Sequence, residues 1–410
     1  MGICVRIEFS KNNTNTNPIM RKNYTTFSEA VNSFFIGDIP LEIVKRACGS
    51  NFLIRLIDQG VDFEEYRELL EKAVQQGRAQ QRLAKLQKQN RTGNQMIFKE
   101  TDMGAGDLSK VRLPLSNAGR PALDPVLMFR VVFLANLTRT SDQDMALAIM
   151  TNSLVRCFLK VQPGTRISRQ AIWDYRELFV KSNACETIMN LHMVAMSQKG
   201  LISADGGLIL DGSFVEAPKQ HNTREENELI KAGKGATLWE GHRAKKRQKD
   251  IDARWTKKNN EKHYGYKLHA LIDAVSKAII CVVTTSANVH DSRVIGEVLN
   301  DEEDKGRTLY ADSAYCGKEL EKLTRSYNVE PCFCEKGYVN RPLTEEQKKN
   351  NREKSKIRCR VEHVFGHIET VFKGSFVRTI GIARAKALNC LTALGYNLCR
   401  EGELLCHQQE

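Results

Sequence analysis

Three carboxylates sit where a carboxylate is costly unless something pairs with it. Asp211 ends the apolar run Leu208-Ile209-Leu210, and Asp312 follows Thr308-Leu309-Tyr310-Ala311. Glu362 stands beside Val361, Val364 and Phe365 in a helical pattern. Burying a lone carboxylate is expensive, so such acids are paired or hold a cation. If the two strands are neighbours, their acids meet in one cleft, and a helix can bring the third. Oxygen-only ligands suit Mg²⁺, or Mn²⁺, rather than Zn²⁺. Two such ions roughly 3.5–4 Å apart activate a water or hydroxyl and stabilise the leaving oxygen of a phosphodiester. No Ser-His or Cys-His nucleophile is then required.

Spacing alone leaves another reading open, in which each acid is an ordinary turn or helix residue. Asp205 and Asp273 lie in turn signals, and Asp291 reads as an N-cap. Glu216, just past the first strand, competes on spacing. Cys359, His363 and His367 recur at four-residue steps, but a zinc site needs a fourth ligand nearby. His269 and His290 flank a hairpin and read as hydrogen-bonded structural residues. Twelve scattered cysteines without a secretion signal read as reduced thiols, and Cys332 and Cys334 as a packed pair on a strand.

The elements that must position these acids begin at about residue 206. Gly206-Gly207 turn into a strand over 208–215. A hairpin follows (263–272 and 278–286), then a short helix carrying Val294, Ile295, Val298 and Leu299. After it come a strand at 307–312, a helix at 317–327, a strand at 331–334, a basic loop at 336–356 and helices at 357–372 and 383–398. That order predicts an α/β domain, a mixed sheet flanked by helices. Between its first two strands, residues 217–262 form a long polar stretch read as a basic insertion.

Earlier residues read as helical. Residues 1–25 are a polar tail, 26–59 short helices, and 62–88 a long helix that Asp62 and Glu65 cap and Gly77 weakens. Residues 91–118 are a linker. Asp124-Pro125, Ser141 with Asp144, and Ser168 open further helices. The domain boundaries are thus 1–118 for tail, helices and linker, 119–205 for a helical domain, and 206–400 for the acid-bearing domain.

At 410 residues, with 62 Lys plus Arg against 49 Asp plus Glu, the chain carries +13. That favours a polyanionic partner. Candidate phosphate contacts are Lys219, Arg224, Lys245, Lys246, Arg247, Arg254, Lys257, Lys258, Lys267 and Arg358. No apolar run reaches the roughly 18 residues of a membrane helix, and the N-terminus lacks a signal peptide's apolar block. A cytoplasmic protein is expected.

Several strings together resemble a bacterial insertion-sequence transposase. They include Gly119-Arg120-Pro121-Ala122-Leu123-Asp124-Pro125, Asp211-Gly212-Ser213-Phe214-Val215-Glu216-Ala217-Pro218 and His263-Tyr264-Gly265-Tyr266-Lys267. They continue through Ala287-Asn288-Val289-His290-Asp291-Ser292, Asp312-Ser313-Ala314-Tyr315 and Arg360-Val361-Glu362-His363-Val364-Phe365-Gly366. The order is that of the DDE transposases, in the group named for insertion sequence five. The resemblance implies a ribonuclease-H-like domain with Asp211, Asp312 and Glu362 as its acids. It also implies Mg²⁺-dependent cleavage at transposon ends, strand transfer by the freed 3′-hydroxyl, and a homo-oligomer on DNA associated with the bacterial nucleoid. Residues 119–205 would bind DNA ends. Arg358 matches the family's arginine four before the glutamate; Ser355 and Glu369 stand where the family usually has Tyr and Lys. The alternatives are a nuclease of the same fold that cuts without joining, or a DNA-binding derivative without activity.

Overall fold

The computed structural model describes residues 51–91, 122–258, 260–338 and 341–409, with the short antiparallel strand pair Phe35–Ile36 and Ile39–Pro40. The polar tail, most of the linker and the Gly119-Arg120-Pro121 string lie outside the described residues. The chain forms two compact units, 1–135 with 140–184, and 136–139 with 185–410.

The first unit is helical. It contains α1 (Phe52–Asp58), α2 (Arg67–Arg91), the apolar α3 (Pro125–Leu137, most of which lies here), α4 (Asp142–Thr151), α5 (Ser153–Leu159) and α6 (Arg169–Lys181). Ser141 and Ser168 cap α4 and α6 by accepting from the amides of Asp144 and Ala171, as their positions in the sequence required. Phe63 meets Phe129 and Phe133 edge-on, with centroids 5.0 and 5.2 Å apart. Asp62 accepts from the Glu64 amide at 2.8 Å and pairs with buried Arg130 at 2.7 Å and with Lys160. Gly77, a poor helix former, has a packing reason: a Cβ there would stand 2.4 Å from Leu178 Cδ2. Phe35–Ile36 and Ile39–Pro40 are short strands, not helical as the apolar content there implied.

The second unit opens with α7 (Ala184–Gln198, all but its first residue) and is organised on a six-stranded sheet. The strands are β1 (Leu208–Glu216), β2 (Arg254–Lys258), β3 (Glu261–Asp273), β4 (Ile279–Ser286), β5 (Thr308–Ala311) and β6 (Glu330–Phe333). β3 runs antiparallel between β1 and β4, and its first residues pair with β2. On the other side β1, β5 and β6 are parallel neighbours. Three antiparallel strands followed by two parallel ones is the ribonuclease-H-like arrangement. Alternation along β1 sends Leu208 and Leu210 into a cluster with Val294, Ile295, Leu309 and Phe333.

Two stretches differ from their sequence reading. Residues 217–262 hold α8 (Arg224–Lys231), α9 (Arg243–Gln248) and β2. The insertion is organised by polar bonds, which apolar periodicity does not reveal. Thr223 and Glu226 form a capping box, and Glu226 also takes the Trp239 indole N–H at 2.6 Å and the Lys245 ammonium at 2.5 Å. Its far end is latched by buried Asp250, which accepts from Tyr266 Oη at 2.6 Å and from the Gly381 amide at 3.0 Å. Likewise most of 336–356 is helix α12 (Glu345–Arg358), started by the Thr344–Gln347 capping box. The remaining helices are α10 (Ile295–Val298, one turn), α11 (Lys318–Ser326), α13 (Arg360–Phe372) and α14 (Ile382–Gln409). Asn397 ties α14 to β4 through both the amide and the carbonyl of Ile279.

Candidate active site

Leu210 and Ala311 are register partners on parallel β1 and β5, so the next residues emerge side by side, Asp211 within β1 and Asp312 just past the end of β5. Asp211 is fixed by its neighbour, because the Gly212 amide donates to Oδ1 at 2.8 Å. Asp312 starts a 3₁₀ turn over Ser313–Tyr315 by accepting from the Ala314 amide at 2.7 Å. Glu362 lies on the first turn of α13 with its side chain mostly exposed. Arg358, the last residue of α12, connects the set. Its Nη1 donates to Asp211 Oδ2 at 2.9 Å and its Nη2 to Glu362 Oε1 at 3.4 Å.

Burial pushes the Asp211 carboxyl above its ordinary range, and the neighbouring charge on Asp312 adds to that rise. The Gly212 N–H, Arg358 and Lys258 oppose it. Among the described residues, no three His, Cys, Asp or Glu side chains already converge on a common metal position. By donor type the three acids fit a divalent cation: all ligands are oxygen, and the Asp211–Asp312 pair carries like charge in apolar surroundings. The guanidinium of Arg358 supplies the balancing positive charge.

On the face of β1 that carries Gly212 lies a polar layer whose mutual bonds the sequence reading did not foresee. Lys267 is buried, and its ammonium donates to Asp291 Oδ1 at 2.7 Å and to the Val289 carbonyl at 2.8 Å. His269, fully buried, shares a hydrogen bond with Thr285 Oγ1 at 2.9 Å. Burial holds its imidazolium down to about 4, with Asp291 opposing and Lys267 reinforcing that fall. Gly212 makes room for the layer, since a Cβ there would stand 3.0 Å from His269 Nδ1 and 3.5 Å from Asp291 Oδ1. Buried Tyr315 feels the charges of Asp291, Asp211 and Asp312. The Asp-Gly dipeptide after an apolar run was the signal for this close approach. Asp291, read as an N-cap, spends its carboxylate on Lys267 instead; His290 caps that turn.

The cations named from sequence take different places. Arg358 joins the acids, and Lys258 lies near Asp211 with its ammonium 5.9 Å from the Phe214 ring centroid. Lys267 is engaged by Asp291, and the Arg254 guanidinium donates to the carbonyls of Ile251, Ala253 and Ile230. Lys245 and Lys246 brace the insertion through Glu226 and the Ala236 carbonyl, while Arg224 pairs with Glu228. Arg247 and Lys257 are exposed, and Lys219 lies 5.9 Å from the ring of exposed Trp255. Glu216 pairs with His263 at 3.4 Å, and Asp273 with Arg307 at 2.5 Å. His367 packs edge-on against Phe372 and Tyr396, a structural placement.

Comparison with known proteins agrees with this geometry. The Transposase DDE domain family matches residues 202–398, which span the whole sheet and α13, and a further transposase domain, DUF772, matches 102–178. The chain therefore carries a DDE transposase domain and is an enzyme of DNA transposition, a class that uses divalent metal ions. It is 28% identical over 234 residues to the transposase for insertion sequence element IS1106 of Neisseria meningitidis serogroup B, covering 56% of this chain and 77% of that protein. The piggyBac transposase synaptic complex with hairpin DNA aligns with 71% of this chain and 68% of its own, at a TM-score of 0.38 and 10% identity, too distant to argue from. Among the described residues no helix is long and apolar enough to cross a membrane.

Proposed function

We propose that the chain is an insertion-sequence transposase of the group named for insertion sequence five, and that Asp211, Asp312 and Glu362 hold its Mg²⁺. The observation that carries this reading is the seating of Asp211 and Asp312 side by side on adjacent parallel strands, joined to Glu362 through Arg358. When bound there, divalent ions supply the charge that activates a water or 3′-hydroxyl and stabilises the departing phosphodiester oxygen. The residues do the rest. Asp211 gives up its proton to bind a cation, at a higher pH than an ordinary carboxylate. Arg358, freed from Asp211, is placed to take a DNA phosphate, a bidentate partner suited to guanidinium. Lys258 holds positive charge beside the same acids. His269, opposite Gly212, stays neutral and adds no further cation there.

The helical residues 119–205 bind the transposon ends in this reading, supported by the transposase-domain match over 102–178. Residues 206–400 perform cleavage and transfer, and the chain acts as a homo-oligomer on paired ends in the bacterial cytoplasm. The test is incubation with terminal-repeat DNA and Mg²⁺. Joined products support transposition, cleavage without joining supports a nuclease, and neither product with DNA still bound points to a binding derivative.

A further inference from the structure

Helix α12 buries none of its residues. It carries six cations (Lys348, Lys349, Arg352, Lys354, Lys356 and Arg358) against three acids, Glu345, Glu346 and Glu353. One face is bonded to the chain at and just beyond β6. Asn351 Nδ2 donates to the Glu335 carbonyl at 3.0 Å, and its Oδ1 accepts from the Glu335 amide at 2.8 Å. Gln347 donates to the Glu335 carboxylate at 2.5 Å, and Lys354 to the Phe333 carbonyl at 2.8 Å. A helix lacking an apolar face gains little from the hydrophobic effect, so polar anchors hold it instead.

The other face is exposed. Lys348, Arg352 and Lys356 line an open groove of about 620 Å³ with Leu343, Asn351 and Ser355. Lys349 lies beside them and, like Arg352, has no ion-pair partner among the described residues. Lys348 and Lys356 pair with Glu345 and Glu353 three residues away, exposed contacts that restrain them weakly. Lys349, Arg352 and Lys356 share one face and span roughly 10 Å at about 1.5 Å rise per residue. That distance matches about three steps of the roughly 3.4 Å axial rise per phosphate of one strand in a duplex. Arg358, at the C-terminal end of the same helix and on its anchored face with Asn351 and Lys354, contacts Asp211 and Glu362.

We propose that this face of α12 seats the sugar–phosphate backbone of one DNA strand as it enters the candidate active site. Its side chains are cations and small polar groups, so the contact positions DNA without reading sequence. The inference rests on the assignment of Asp211, Asp312 and Glu362 to the chemistry.

The test is the salt dependence of binding to terminal-repeat duplex by the full chain. The triple substitution Lys349→Gln, Arg352→Gln, Lys356→Gln should flatten the slope of log affinity against log salt by about 2–3 units, near 0.9 per lost phosphate contact. Arg352→Gln alone should remove about one unit. Circular dichroism confirms that the variants are folded, and hydroxyl-radical footprinting should show protection lost beside the scissile phosphate. An unchanged slope in the folded single and triple variants, or lost protection confined to distant positions, overturns the proposal. Asp211→Asn in the cleavage assay separates the two claims: if it still cuts, the acid assignment fails whatever α12 does.

Discussion

Asp211 and His269 lie on paired strands and respond oppositely to pH. His269 titrates at about 4 in the fold against an ordinary 6.5. Its burial as a neutral ring therefore contributes stability that is full above about 6.5 and lost as pH falls toward 4. Asp211 has a raised pKa, so its contribution without metal is full below the ordinary carboxylate range and erodes as pH rises through the raised value. Thermal midpoints of wild type and His269→Asn between pH 4 and 7.5 check the first. The wild-type midpoint should fall below pH 6.5 and the variant's should fall less. Because a metal competes with the Asp211 proton, Mn²⁺ affinity measured by calorimetry should weaken on acidification sooner than for an ordinary carboxylate pair; a flat profile from pH 5 to 8 contradicts it. The placing of Asp211 beside Asp312 was legible because each followed an apolar run on a strand. The polar layer on the Gly212 face was not. That Lys267 and Asp291 are spent on each other depends on cross-strand register and a turn, neither of which local pattern carries.

Among the elements, β3 is sensitive to change at Gly265. It is paired along both edges, and Gly265 has φ +145°, with a built Cβ only 2.4 Å from the Val215 carbonyl oxygen. Gly265→Ala should cost more than about 2 kcal/mol, read as a lower denaturation midpoint, since backbone cannot move aside as a side chain can. Asp250→Ala should release the insertion, leaving Tyr266 Oη and the Gly381 amide without their acceptor. The expected sign is a loss of about 1–3 kcal/mol together with new protease cuts within 217–253; an unaltered digestion pattern would contradict the latch. The succession of strands and helices along the chain, β2 apart, was readable from apolar runs and turns; which strands neighbour one another was not. The insertion and α12 were not, because capping boxes and side-chain bonds replace the apolar periodicity that marks other elements.

Across the whole molecule, the +13 charge pointed to a polyanion before any geometry was known. The structure sorts those cations into ones bound internally, such as Lys267 and Arg254, and ones left to solvent, such as Arg247 and Lys257. Charge reversal at Arg247 and Lys257 should therefore weaken DNA binding and flatten its salt dependence by about two units, while Lys245→Glu should chiefly disturb the insertion through Glu226. Equal affinities across salt concentrations would relegate that surface to ordinary solvation.

In the proposed reaction Asp211, Asp312 and Glu362 act together with a divalent ion on DNA. The most direct measurement is cleavage of terminal-repeat DNA at saturating Mg²⁺ by Asp211→Asn, Asp312→Asn and Glu362→Gln, with binding measured in parallel. Each should lose more than about 100-fold in rate, since even the outer partners of metal ligands cost 10–100-fold, while retaining DNA affinity. Mg²⁺-dependent cleavage near the wild-type rate in any one of them would remove that residue from the site.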